Sequence, residues 1–315
     1  MKKIIALTLA ALMIVMCFAG CGGKKEGSGK NITVLLKNST APFWISVAEG
    51  AKAAGAEHGY NVTVKTPVDT AEGSGNEQQH QLAEEAIVEG IDCLVVAPVD
   101  SEAFVPAAKK VQEAGIPIVN LNTKLSDPSV YKTFVGLENI NQGYDTAKAL
   151  FEKMGGEGTV FIIEGSTGAQ TSIDRVKGFE KALAEYPNIK VLAQQSANYS
   201  RAEALNVVQN LLQSHPDVNA ILCCNDEMAL GSAEAVDAAG KTGQIKISGQ
   251  DANDDAVAAL KEGKITVTSF GNPYMQGYTA VMAAIDVLEG KTVEAFYEVK
   301  TKVVDLANAD TFKNN

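Results

Sequence analysis

The sequence predicts an α/β fold with two doubly wound lobes of similar size. Short apolar runs rich in β-branched residues alternate with helical patterns along the body of the chain. The predicted strands are almost continuously apolar, as expected for parallel sheets that helices cover on both faces. The alternation restarts at Gly136, and the chain of 315 residues is long enough for about two domains.

The first half of the body contains five predicted strands and three predicted helices. Pro42 suits the first turn of the first helix, and Gly115 closes the third. The strands are predicted at residues 32–36, 60–65, 92–97, 116–121 and 131–135. The helices are predicted at residues 43–58, 76–89 and 102–113.

The second half repeats this order, and one helix and one strand follow it. The strands are predicted at residues 159–164, 189–194, 220–224, 245–249 and 265–270. The helices are predicted at residues 142–154, 172–185, 201–213, 227–239 and 254–262. The additional elements are a helix at residues 275–289 and a terminal strand at residues 295–303.

Residues 1–20 are predicted to be a lipoprotein signal peptide. Lys2 and Lys3 precede an apolar run at residues 4–16, which is too short to span a bilayer. The run ends at residues 18–21, Phe-Ala-Gly-Cys, which resemble a bacterial lipobox. We therefore expect a lipid on Cys21, a flexible tether at residues 21–30 and an extracytoplasmic body anchored to the bacterial cell membrane. A plain secretory peptide with an incidental cysteine is the alternative.

Charge and cysteine content disfavour several other classes of function. The net charge of −11 repels phosphate backbones, so we expect no nucleic-acid partner. Cys93, Cys223 and Cys224 lie in apolar runs and are predicted to be buried free thiols. The sequence contains no CxxC motif, no metal-ligand spacing and no nucleophile motif, so we expect neither a metal, nor a cofactor, nor an enzyme.

Candidate binding residues lie in the loops after predicted strands, because ligands of such sheets bind beyond the carboxyl ends of the strands. Phe43 and Trp44 could form an aromatic wall against a sugar or another flat polar ligand, or one could be a core residue and the other a chance exposure. Tyr199 could line the same cleft or staple a helix start. Asn225 and Asp251 could bind polar ligand groups or cap helices.

Residues 31–303 resemble periplasmic ribose-binding proteins and related type I sugar-binding proteins of ABC importers. The most specific stretch is the motif NDEMALG at residues 225–231. A colinear series of shorter matches supports the resemblance. These matches are PFW at 42–44, APVD at 97–100, GIPIV at 115–119, Arg175 with GF at 178–179, residues 205–218, and GQD at 249–251.

The resemblance implies two lobes, a hinge of three crossovers and a ligand enclosed when the lobes close. The first lobe would comprise residues 31–135 and 272–298, and the second residues 136–271 and 299–315. It also implies a sugar between aromatic side chains and hydroxyl groups held by charged and amide side chains. The predicted ligand-binding residues are Phe43, Trp44, Asn122, Arg175, Tyr199, Asn225 and Asp251.

Four places depart from the pattern of ribose binders and remove polar groups. The chain has Ala41 and Ala97 where they have Asn, Asn122-Thr123 where they have Asp-Arg, and Gly271 where they have a hinge Gln. Each lost buried hydrogen bond is worth about 1–3 kcal/mol. We therefore expect a different or larger neutral ligand than ribose: another monosaccharide, a polyol, or a sugar-like compound with an apolar portion.

The resemblance implies a monomeric solute-binding lipoprotein that delivers this ligand to an ABC permease. The alternative is a ligand-sensing subunit for a membrane chemoreceptor or kinase. A transcriptional repressor core shares the fold, but a signal sequence stands where such proteins have a helix-turn-helix.

Overall fold

The structure is a computed structural model that describes residues 29–68 and 74–312. The predicted signal peptide, the lipidation site at Cys21 and tether residues 21–28 lie outside these residues. Within the described ranges, no helix combines the length and the apolar character needed to cross a membrane.

Twelve strands and nine α-helices are present in the described residues. The strands are β1 (Asn31–Leu35), β2 (Asn61–Lys65), β3 (Cys93–Val96), β4 (Ile118–Leu121), β5 (Thr133–Gly136), β6 (Glu157–Glu164), β7 (Asn188–Ser196), β8 (Ala220–Cys223), β9 (Lys246–Ser248), β10 (Val267–Phe270), β11 (Phe296–Glu298) and β12 (Lys302–Asp305). The helices are α1 (Pro42–His58), α2 (Ser74–Val88), α3 (Val105–Glu113), α4 (Asn139–Met154), α5 (Gln170–Leu183), α6 (Arg201–Ser214), α7 (Asp226–Ala238), α8 (Asp254–Lys261) and α9 (Pro273–Leu288). A short 3-10 helix at Pro128–Val130 was not predicted.

The strands form two six-stranded sheets with the same order, which confirms the predicted fold class. The first sheet runs β2-β1-β3-β4-β5-β11, and all of its neighbouring strands are parallel. The second runs β7-β6-β8-β9-β10-β12 and is parallel except for β12, which is antiparallel to β10. The strand order reverses between β1 and β3 in the first sheet and between β6 and β8 in the second. Each reversal makes a crevice at the carboxyl ends of those two strands.

The chain passes three times between the sheets. It crosses from β5 to α4, returns from β10 to α9, and crosses again from β11 to β12. The prediction of one terminal strand at residues 295–303 was wrong. The segment is two strands on the edges of different sheets, because residues 299–301 make the third crossing. The lobe boundaries given above stay a prediction.

The central strands are buried on both faces, as their apolar sequences predict. All four residues of β3, β4 and β8 are buried, and helices cover both sides of each sheet. Cys93, Cys223 and Cys224 are buried free thiols within these cores, as predicted.

Side chains that cap helices stand at the carboxyl ends of the second sheet. Ser200, Asn225, Asn253 and Asn272 each accept a backbone N–H of the helix that follows, α6, α7, α8 and α9 respectively. Helix α5 differs, because its N-cap residue is Ala169 and no side chain of its own forms a cap. The caps fix the loops that face the first sheet.

Candidate ligand-binding cavity

A cavity of about 710 Å³ lies between the carboxyl ends of the two sheets. Its size is within the range of about 300–1,000 Å³ that is usual for small-molecule sites. The structure brings all seven predicted ligand-binding residues to its wall. They are Phe43, Trp44, Asn122, Arg175, Tyr199, Asn225 and Asp251. Their role in binding stays a prediction.

Phe43 and Trp44 form one corner of the cavity at the start of α1. Their ring centroids are 4.9 Å apart and their planes meet at 82°. Trp44 is buried and packs in the core of the first lobe, while Phe43 is half-buried against that core. Each ring also lines the cavity, so Trp44 is both a core residue and a wall residue. The arrangement presents two perpendicular aromatic surfaces to a ligand.

Tyr199 lies on the opposite lobe, and its backbone is in the left-handed region with φ 61°. A bulky residue rarely adopts this conformation, which marks a position where local strain is tolerated. Its hydroxyl group is 3.1 Å from the Thr171 hydroxyl. The ring lies directly against Gly165, where an added Cβ would come within 2.1 Å of Tyr199 Cζ. The absence of a side chain at Gly165 therefore makes room for the ring.

Arg175 is only 4% exposed and lies on α5 in the floor of the cavity. Its Nε donates to Asn139 Oδ1 at 3.2 Å, and its Nη1 donates to the backbone carbonyl of Cys224 at 2.5 Å. These two bonds fix the plane of the guanidinium group. The Nη2 group lies 4.0 Å from Asp251 Oδ1, which leaves it oriented for a ligand acceptor.

Asp251 follows β9 and is 7% exposed, with an unusual φ of 138°. Burial raises its pKa well above the ordinary value, and the Arg175 guanidinium opposes that shift. The buried Asp226 supports the loop, because its carboxylate accepts the Asn253 N–H at 2.9 Å and the Thr268 hydroxyl at 2.6 Å. Asp251 is thus a nearly enclosed acceptor on a strained, braced loop.

Asn225 caps a helix, as one interpretation of its sequence position predicts, and it also lines the cavity. Its Oδ1 caps α7 by accepting the Met228 N–H at 3.0 Å. Its Nδ2 lies 3.5 Å from the Tyr199 carbonyl, a long contact, and the residue lines the cavity. The cap uses the oxygen and leaves the amide group as a donor toward a ligand.

Asn122 belongs to a chain of hydrogen bonds that runs from the hinge to Tyr199. Gln276 Nε2 donates to the Gly271 carbonyl at 2.7 Å, and Asn122 Nδ2 donates to Gln276 Oε1 at 2.9 Å. Asn122 Oδ1 accepts the Thr123 hydroxyl at 3.1 Å. The Thr123 hydroxyl is 3.4 Å from that of Thr171, which in turn contacts Tyr199. Asn122 is therefore held largely by protein partners.

Lys37 is a cavity residue that the sequence analysis missed. Its Nζ lies 5.9 Å from the centroid of Trp44 and 5.7 Å from that of Tyr199, so it stands between the aromatic walls of both lobes. Burial and the nearby Arg175 lower its pKa to about 7, although the Asp100 carboxylate acts in the opposite direction. Its position as the second residue after β1 was the one sequence feature that could have indicated a place in the cavity wall.

Several other residues of the cavity wall were not predicted, and their polarity differs between the two lobes. The first lobe contributes an apolar surface made of Ala41, Pro42, Pro67, Val68 and Val99. The second contributes further polar groups at Thr171, Glu227 and Asn253. The cavity is therefore apolar on much of one side and polar on the other. Within residues 29–68 and 74–312, no cluster of His, Cys, Asp or Glu side chains could hold a metal ion.

Known protein sequences are similar to this chain over most of its length. A sequence profile of the periplasmic binding protein domain matches residues 32–292. The ribose import binding protein of Bacillus subtilis strain 168 is 32% identical over 302 residues, which are 93% of this chain and 96% of the relative. The D-allose-binding periplasmic protein of Escherichia coli K12 is 32% identical over 288 residues, which are 89% of this chain and 88% of the relative.

Solved structures match over similar lengths. An ABC transporter solute-binding protein of Actinobacillus succinogenes 130z with bound D-allose has a TM-score of 0.82 and 34% identity, covering 90% of this chain and 100% of its own. One from Bacillus halodurans C-125 with bound myo-inositol has a TM-score of 0.83 and 28% identity, covering 91% of this chain and 98% of its own.

Proposed function

The chain belongs to the periplasmic binding protein domain family, and from this membership we propose that it captures a small neutral sugar or sugar-like ligand in the cavity between its lobes. Its relatives are substrate-binding proteins of transporters, and the chain is accordingly a binding protein and not an enzyme. The proposal includes delivery of the ligand to an ABC permease outside the cytoplasm.

The convergence of aromatic and polar side chains in one cavity carries the proposal. Trp44 and Tyr199 come from different lobes and offer aromatic faces that suit the C–H surface of a sugar ring. Arg175 supplies donors, Asp251 supplies acceptors, and the Asn225 amide group supplies further donors. Sugar hydroxyl groups both donate and accept, so this set complements a polyhydroxylated ligand.

Ribose itself fits the wall less well than a ligand with an apolar portion. Ala41 lines the cavity where ribose binders have Asn, and it continues into Pro67, Val68 and Val99. Hydroxyl groups that faced this surface would lose hydrogen bonds to water without replacement, which costs about 1–3 kcal/mol each. We therefore propose a deoxy sugar, a polyol or a larger sugar-like compound whose less polar side faces the first lobe.

Lobe closure around the ligand follows from the position of the cavity. Its wall combines residues of both sheets, and the three crossovers form a hinge beside it. A ligand that contacts both lobes favours the closed arrangement over an open one.

Anchoring through a lipid on Cys21 is the remaining part of the proposal. The sequence before Cys21 supports it, and residues 22–30 would tether the body near the permease and raise its effective concentration there. Mass spectrometry of the mature protein from bacterial membranes, compared with Cys21→Ser, tests this part. A lipid mass on the N-terminal peptide of the wild type that is missing from Cys21→Ser supports the anchor. A wild-type peptide without a lipid mass refutes it.

Differential scanning fluorimetry against a panel of ligands tests the sugar assignment. The panel would contain D-ribose, D-allose, D-fucose, myo-inositol and xylitol beside nucleosides, amino acids and inorganic anions. We expect a sugar or polyol other than ribose to raise the melting temperature most. A shift with amino acids or anions alone would refute the assignment. Native mass spectrometry of the purified protein would identify a retained ligand.

A further inference from the structure

A serine of the first lobe caps a helix of the second. Helix α5 begins after Ala169, whose side chain cannot accept a hydrogen bond. Ser101, in the loop after β3, accepts the N–H of Gln170 at 3.0 Å through its hydroxyl oxygen. Gln170 is the first residue of α5, so its N–H has no partner within the helix. The cap that α5 lacks is therefore supplied across the cleft.

Two more contacts join the same helix end to the first lobe. The Ser101 N–H donates to the Gly168 carbonyl at 3.0 Å, and the hydroxyl groups of Thr123 and Thr171 are 3.4 Å apart. Ser101 is 4% exposed and Thr123 is fully buried, so both lie inside the contact. When the lobes open, these groups exchange their protein partners for water, so each bond contributes a modest net stabilisation of the closed arrangement.

Gly168 permits this close approach. Its φ is +83°, and an added Cβ would come within 2.0 Å of Asp100 Oδ2. The other oxygen of that carboxylate accepts the N–H groups of Glu102 and Ala103 at 2.9 and 2.8 Å, so the carboxylate is fixed in place. The two loops therefore meet at a point where only glycine fits.

We propose that Ser101, Gly168 and Gln170 form a latch that holds the lobes together without ligand. None of the three lines the cavity, so their hydrogen bonds do not require a bound molecule. The inference rests on the proposed function, because it assumes that the lobes open to admit a ligand. Ser101 thereby sets the affinity for the ligand without touching it.

The latch acts through the population of the closed state. The apparent dissociation constant rises by the factor by which the closed fraction falls. Capping energies correspond to a change of roughly threefold to tenfold in that equilibrium. Removal of the latch would lower the affinity for every ligand by the same factor and leave the order of preference among ligands unchanged.

Small-angle X-ray scattering of the ligand-free protein tests the latch without knowledge of the ligand. Ser101→Ala removes the hydroxyl acceptor, and we expect a larger radius of gyration than in the wild type. Ser101→Thr keeps a hydroxyl group and is expected to scatter as the wild type does. Ser126→Ala is the matched control, because only its backbone N–H contacts the Ser101 carbonyl.

Gln170→Pro removes the donor from the other side. Proline is favoured at the first helical position, and Ala169 has φ −79° and ψ 116°, which suits a residue before proline. This variant should therefore fold and also expand. Wild-type dimensions for both Ser101→Ala and Gln170→Pro would overturn the latch. A failure of every sugar to bind would refute the proposed function and leave this scattering result unaffected.

Discussion

Arg175 and Asp251 face each other in the cavity floor, with Arg175 Nη2 4.0 Å from Asp251 Oδ1 and both side chains less than a tenth exposed. The distance is long for a direct hydrogen bond, so the pair retains donor and acceptor capacity. A ligand hydroxyl that contacts both groups would satisfy a buried donor and a buried acceptor at once. This geometry makes the pair the strongest candidate for determining affinity.

Replacing either member of this pair with Ala should abolish detectable ligand binding. Loss of either side chain removes a hydrogen-bonding partner of the ligand, and a ligand hydroxyl left buried without its partner costs about 1–3 kcal/mol, more where the partner is charged. Isothermal titration calorimetry with the ligand found by thermal-shift screening measures the effect. Lys110→Ala and Glu84→Ala are matched controls, because these two side chains form an ion pair and neither lines the cavity. Retained affinity in Arg175→Ala or Asp251→Ala would show that the cavity floor does not bind the ligand.

Tyr199→Ala should weaken binding by about tenfold or more, since it removes one aromatic face of the cavity. Stacking of this kind contributes about 0.5–1.5 kcal/mol beyond the buried area of the ring. Tyr199→Phe keeps the face and loses only the contact with Thr171, so its effect should be smaller. Titration of both variants compares the two contributions. Equal losses in Ala and Phe variants would contradict a stacking role.

Lys37 should make stability rise with pH in a defined window. Its pKa is about 7 in the folded protein against 10.5 in the unfolded chain. Between these values the unfolded chain binds more protons, so the free energy of unfolding rises as the pH increases. Below the lower value both states are protonated and the dependence disappears.

Urea denaturation of Lys37→Met between about pH 7 and 8.5 checks this dependence. The variant should lose part of the rise that the wild type shows. The upper limit avoids the buried thiols of Cys93 and Cys224 and the phenol of Tyr199. Their pKa values are raised from 9.0 and 10.0, respectively, to about 12, which makes stability fall as the pH increases. Lys109→Met, at a more exposed lysine, is the control and should keep the wild-type rise. Parallel curves for the wild type and Lys37→Met would refute the prediction.

Gly271→Gln should destabilise the protein and should not create ribose binding. An added Cβ would lie 2.7 Å from Leu137 Cδ1, and overpacking of this kind costs about 1–3 kcal/mol. A double-mutant cycle with Leu137→Ala, measured by urea denaturation, should show favourable coupling because the truncation makes room. Additive effects would mean that Leu137 is not what excludes a side chain at this hinge position.

The positions of the predicted site residues could be anticipated because parallel strands all end at the same edge of their sheet. Phe43, Asn225 and Asp251 follow strands β1, β8 and β9, and topology alone brings such loops together. Residue type was less informative for Lys37, because a lysine after a strand usually reaches solvent. Its burial depends on the aromatic rings of both lobes, which no local pattern reveals.

The backbone conformation of Tyr199 and the choice of sheet for each terminal strand could not be predicted from the sequence. Tyr199 has a left-handed φ that its residue type disfavours, and tertiary contacts with Gly165 and Thr171 accompany it. The split of residues 295–303 into two strands also depends on which lobe offers a free edge. An apolar, β-branched run predicts a strand and does not specify the sheet that it joins.

The passage of β11 and β12 onto separate sheets has a consequence for the order in which the lobes can be completed. The first sheet receives its edge strand only at residues 296–298, and the second receives its own at 302–305. Neither sheet is complete until residues 296–305 are available to pair, whereas domains built from one contiguous segment can fold in turn. Completion of both sheets therefore depends on one short segment, residues 296–305.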